Sequence, residues 1–205
     1  MSQHLSSSEQ TLPATDIHLA QAQRLWSLGV GSAAGFADFA SYLASIPEIL
    51  TALLADDPEF PLLVLDETRL GLKKLCDLGG IAFDGNDETL VAFDDRHLEL
   101  AVPTWIRVQD GRRNRNRSVR DCRKTFGQDE LGLTALQGAC TYLQHPQVVS
   151  EASQNGAHTM DLSGSIHRGD RNCSARLGLW SGRLELIWDF DGYAYRHYGS
   201  ASRRA

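Results

Sequence analysis

From Thr159 to Phe190 apolar and polar residues alternate in three successive runs. Met160, Leu162, Gly164 and Ile166 interleave with Thr159, Asp161, Ser163 and Ser165. Cys173, Ala175, Leu177 and Leu179 interleave with Ser174, Arg176 and Gly178, and Leu184, Leu186, Trp188 and Phe190 with Arg183, Glu185 and Asp189. Successive side chains on a strand point to opposite faces, so a period of two held three times specifies strands with one apolar and one polar face. HRGDRN, SG and DFDG supply turns, and YAYRHY is a candidate fourth strand. The expectation is an antiparallel meander. Such a sheet needs a cover for its apolar face.

The preceding residues offer that cover. Ile17, Ala20, Leu25 and Leu28 recur at helical spacing behind a capping Asp16, and Phe36, Phe39, Ala40 and Leu43 continue it to a break near Ile46, after which Pro47 restarts a helix. LLVLDETRLGLKKLCDLGG places Leu65, Leu72, Leu75 and Leu78 on one helical face and ends in a glycine pair. IAF, DGNDE and TLVAF read as a β-hairpin, PTWIRVQDG as a strand, and ELGLTALQGACTYLQHP as a helix stopped by Pro146. Helices followed by mixed elements and then strands define an α+β fold. The predicted organisation is a polar, mobile tail over 1–15 and one domain over 16–205, helical over 16–78 and mixed to β-rich over 79–205.

A chain of 205 residues with 42% hydrophobic and 22% charged residues has the composition of a folded protein. The first residues lack a basic patch followed by an apolar run, and no segment carries the ~20 apolar residues a bilayer span needs, so the sequence reads as cytoplasmic, with no membrane partner. Cys76, Cys122, Cys140 and Cys173 are scattered without a C-x-x-C pair, which reads as structural thiols and not as a metal or redox centre.

Charge is distributed unevenly. The net charge is -6, yet GRRNRNRSVRDCRKTF and its flank, from Arg107 to Lys124, hold eight basic residues against Asp110 and Asp121. A guanidinium stays ionised and grips phosphate or carboxylate through a fork of donors. Arg107, Arg112, Arg113, Arg115, Arg117, Arg120, Arg123 and Lys124 are therefore the candidate polyanion-binding residues, with Asn114, Asn116 and Ser118 as neutral donors and Trp105 as a stacking surface for a base. The competing account pairs these cations with the chain's own acids, which cluster at 56–59, 84–88 and 93–99.

Other motifs carry less. Gly29, Gly31 and Ala34 match G-x-G-x-x-A, but AQAQRLW ahead of them is helical where a dinucleotide site needs a strand, so a helix–helix connection is expected. His158 with Asp161 and His167 with Asp170 repeat H-x-x-D, a spacing that does not converge on a strand; His97 and Glu99 form H-x-E without the cysteines of a zinc deaminase. Neither a metal nor a cofactor is expected. The leading expectation is a non-enzymatic binding protein whose Arg-rich segment engages a phosphate-bearing or acidic partner, single-stranded nucleic acid or an acidic protein. The alternatives are a small hydrolase or transferase acting on a phosphorylated substrate, with Asp161, Glu185, His197 or Tyr195 moving protons, and a protein–protein adaptor.

Overall fold

The computed structural model describes residues 14–98, 101–150 and 157–205. Almost all of the predicted tail lies outside them; helix α1 begins at Ala14 and runs to Ser27. Gly29, in the left-handed region at φ 84°, turns the chain into the short α2, Val30–Ala33, so the G-x-G-x-x-A stretch does join two helices. Helix α3, Phe39–Ser45, is capped by the Asp38 carboxylate, which accepts from the Ser41 amide at 2.7 Å. The helix expected to restart at Pro47 forms only one turn, α4, Thr51–Leu54.

The largest departure from the sequence expectation follows. Leu62–Asp66 is a strand, β1, and only Leu72–Leu78 is helical, as α5. LLVLD is a short apolar run, which periodicity alone does not separate from a buried helix turn. Nor is there a hairpin at 81–93. Ala82 makes an isolated bridge to Glu185, while β2, Leu90–Ala92, pairs with β5. The expected strand at PTWIRVQDG forms as β3, Thr104–Gln109; the Arg-rich segment holds a 3-10 turn at Arg112–Asn114 and α6, Val119–Thr125. Glu130–Gly132 is β4, so α7, Ala135–Gln144, starts later than the sequence suggests, with Thr134 and Gln137 closing a capping box.

The meander forms as β5, Thr159–His167, β6, Asp170–Trp180, and β7, Arg183–Phe190. The fourth strand is displaced: β8, Tyr198–Ser200, runs parallel to β5, and after Ala201 the chain continues as β9, Ser202–Arg204, in another sheet. The fold is α+β, with one sheet ordered β1-β3-β9-β4 and the other β2-β5-β6-β7, β8 lying beside β5. One extended segment thus crosses between the sheets at Ala201, whose amide donates to Asp161 O and whose carbonyl accepts from Leu133, both at 3.0 Å.

Helix α7 has nine of its ten residues buried and packs on β1 of one sheet and on β5 and β6 of the other. Gln144 closes the outer edge of β1: its Oε1 accepts from Leu65 N at 2.9 Å and its Nε2 donates to Leu65 O at 2.8 Å. An edge strand with its backbone groups answered this way is closed to other chains. One hydrophobic cluster runs from Ala22 through α7 and both sheets to Ala201.

Candidate functional site

The polar side of the meander is not solvated. Eight of the nine β5 residues are buried, Asp161, Ser163 and Ser165 among them. The Arg-rich segment covers that side. Gly111, at φ 94°, approaches Gly199 so closely that a Cβ on either glycine would strike the other's carbonyl oxygen. Asn114 Nδ2 donates to Ser200 O at 2.8 Å and Asn116 N to Tyr198 O at 3.2 Å, while Ser118 caps α6. These neutral donors, expected to face a sugar–phosphate chain, face β8 and α6 instead.

The cations themselves are engaged within the molecule. Arg107 spends its fork on the carbonyls of Leu53, Ala55 and Pro61. Arg112 pairs with Asp110, Arg113 with Glu130 and Lys124 with Asp121. Arg115 donates to Ala157 O at 2.6 Å and to His158 Nδ1 at 3.3 Å, and Arg117 to Asn114 and Thr125. Arg120 and Arg123 share Asp191 at 2.7 and 2.8 Å. Arg123 also reaches Ser163 O, Ser165 O and Ser174 Oγ and lies over the Phe93 ring. Trp105 is 4% exposed and donates to Pro47 O, which leaves no ring face for a base. The premise of guanidinium groups free of internal partners does not hold: Arg123 serves the polar face of β5 and β6, and the others are held by carboxylates, carbonyls and side chains elsewhere in the molecule. Their acidic partners are not the three clusters marked in the sequence; Asp57 and Glu59 of the first pair with Arg204.

The carboxylates weighed for proton transfer do not converge on an open site. Asp161 is 1% exposed and faces the fully buried Arg176 at 2.9 Å, which also holds Asp189 at 2.6 Å beneath the Tyr195 and Tyr198 rings. Burial pushes the Asp161 carboxyl up, and Arg176 pulls against it. Glu185 lies near Arg183 on β7. His158 is buried, donates from Nε2 to Asp110 O at 2.7 Å, and is depressed to about 4, chiefly by burial. His97 stands on Asp94 at 2.6 Å; Glu99, its partner in H-x-E, lies outside the described residues. Among the described residues no group of three or more His, Cys, Asp or Glu side chains could hold a metal ion, and no helix is long and apolar enough to cross a membrane.

A cavity of about 550 Å³ opens where β3 and β9 part. Strand β9 pairs with β3 only at Val108 and Gln109, then stays with β4, so Thr104–Arg107 has β1 on one side and no strand on the other. Four arginines, Arg96, Arg107, Arg203 and Arg204, and two acids, Asp66 and Asp95, contribute to its wall, with Gln137 from α7. Three of the arginines are committed: Arg107 to carbonyls, Arg204 to Asp57 and Glu59, Arg96 to Asp94 at 3.4 Å. Arg203 is not. Its Nη1 donates to Arg204 O, its Nε is enclosed without an acceptor, and burial lowers its pKa. Asp66 is its opposite: 3% exposed, Oδ2 accepting from Gln137 Nε2 at 2.9 Å, Oδ1 enclosed without a donor, the carboxyl pushed up to about 6 by burial against the pull of Gln137 and Arg203. The two charges feel each other without forming a direct pair.

Of the residues the sequence singled out, only Arg107 and Trp105 reach this cavity. Asp66 was hidden in a run read as helix, and Arg203 stood beside Arg204 beyond the last recognised strand. The available cue was an acid closing an apolar run, LLVLD, where a buried strand ends. No protein-family model matches the chain, and no curated protein or solved structure is significantly similar to it.

Proposed function

We propose that this protein binds a small molecule carrying an anionic group, carboxylate or phosphate, in the cavity between β3 and β9, with Arg203 as the cation that receives it. The observation that carries this reading is the state of Arg203: a half-buried guanidinium at a cavity wall, its Nε enclosed without an acceptor and, among the described residues, no carboxylate in direct ion-pair contact with it. An enclosed donor without an acceptor costs about 1–3 kcal/mol, and an incoming anion removes that cost. Arg107, held by neutral carbonyls and not by a carboxylate, adds a second positive charge to the wall that favours such a ligand. The cavity lies within the ~300–1,000 Å³ range of small-molecule sites. This keeps the anion chemistry expected from the sequence but centres it on Arg203, not on the Arg-rich segment, whose cations are held by partners within the molecule.

The test is calorimetric titration of the full chain with propanoate and with inorganic phosphate, in wild type and in Arg203→Gln. Arg203→Gln is expected to weaken the anion that binds by about tenfold or more, the scale of one charge-assisted hydrogen bond. Equal affinity in the two proteins, or no binding of either anion at millimolar concentration, would overturn the reading.

A further inference from the structure

Arg203 accounts for one end of a ligand, and Asp66 sets a requirement at the other. Its Oδ1 is sealed inside the protein with no donor, while Gln137 satisfies only Oδ2. Among the described residues the other charge acting on the carboxyl, besides Arg203, is Glu67, and that carboxylate is already held by Arg69 at 2.6 Å and by the Tyr42 hydroxyl at 3.0 Å. Glu67 therefore gives Asp66 repulsion and no proton. The remaining charged groups on the cavity wall, Asp95, Arg96, Arg107 and Arg204, lack a hydrogen-bond contact with it. An unanswered buried acceptor costs about 1–3 kcal/mol, more when ionised.

Resting on the anion site proposed above, we infer that the ligand is an amino-acid-like zwitterion, its anionic group on Arg203 and its ammonium on Asp66. An ammonium is the donor that matches this position: it brings the charge the carboxylate lacks, and the unanswered Nε of Arg203 takes the ligand's other end. Asp66 lies on the cavity wall and the torsion that turns a carboxyl is soft, so a turn that moves both oxygens brings the carboxyl to an ammonium there, with the Gln137 amide following. A dianion would leave Asp66 unanswered, and a simple amine would leave Arg203 unanswered.

Matched pairs of probes separate this from the broader reading. The full chain is titrated with glycine, 3-aminopropanoate and 4-aminobutanoate, and with acetate, propanoate and butanoate, which lack the amine. At one chain length the amino compound is expected to bind about tenfold or more tighter than its partner. Asp66→Asn, which keeps an acceptor for Gln137, should reduce that ratio to near one by weakening the amino compounds, and, because it removes a negative charge that Arg203 feels, should leave the plain carboxylates bound at least as tightly as in wild type; Arg203→Gln should weaken both sets. If the plain carboxylates bind as tightly as the amino compounds while Arg203→Gln still weakens them, the zwitterion inference fails and the anion site stands. If neither set binds, both fail.

Discussion

Asp66 and His158 are both enclosed, and enclosure moves them in opposite directions. Asp66 rises to about 6 from 3.8, so between those values the folded state holds a proton the unfolded chain has lost; its contribution is fully favourable below 3.8 and is lost as pH rises through 6. The gap corresponds to about 3 kcal/mol. Asp66→Asn, measured by urea denaturation, should therefore gain on wild type between pH 4 and pH 7 by an amount of that order; parallel curves would contradict the burial of an unpaired carboxyl. His158, depressed to about 4 from 6.5, has the opposite window: its neutral form supports the fold above 6.5, and that support is lost as pH falls toward 4. Its ring should remain unprotonated at pH 5.5 by NMR, with the proton on Nε2 facing Asp110 O. A midpoint near 6.5 would show that the ring is open to water.

At the scale of elements, β5 to β7 were legible because a period of two over three runs has no competing reading, and α7 was legible as a helix stopped by Pro146, though its start, set by the Thr134–Gln137 capping box, was read too early. Strand β1 was not. Leucines at 65, 72, 75 and 78 mimic a helical stripe, and what makes LLVLD a strand is nonlocal: β3 on one side and Gln144, from a helix far along the chain, on the other. Gln144→Ala would leave the Leu65 N–H and C=O without these partners and should cost about 2–4 kcal/mol by chemical denaturation; a loss below ~0.5 kcal/mol would mean the edge is open. The polar face of the meander misled in the same way. Alternation announces a polar face without saying whether water or protein covers it, and here Arg123 does. Arg123→Met should cost about 3–5 kcal/mol, because Asp191 and three acceptors of β5 and β6 lose a buried partner. Arg120→Met, at a pair whose arginine is 45% exposed, should cost below ~1 kcal/mol.

Across the whole molecule the Arg-rich segment and the strand switch at Ala201 act together. The segment docks on β8, β8 continues into β9, and β9 carries Arg203 into the other sheet, where it parts from β3. Seven arginines of that segment are spent on partners within the molecule, Arg123 on the polar layer of β5 and β6, and an eighth, far from them in sequence, is left with an unmet donor. That division was out of reach of composition: clustering in sequence drew attention to the arginines that are satisfied, and only tertiary structure distinguishes a spent guanidinium from an unspent one. The most direct measurement is the affinity for inorganic phosphate, or for a carboxylate that binds in its place, of wild type, Arg203→Gln and the double variant Arg112→Ser/Arg113→Ser, whose side chains sit at the surface. Loss of about tenfold or more in Arg203→Gln with an unchanged double variant is the result expected. Unchanged affinity in Arg203→Gln with loss in the double variant would return the site to the Arg-rich segment and contradict this account.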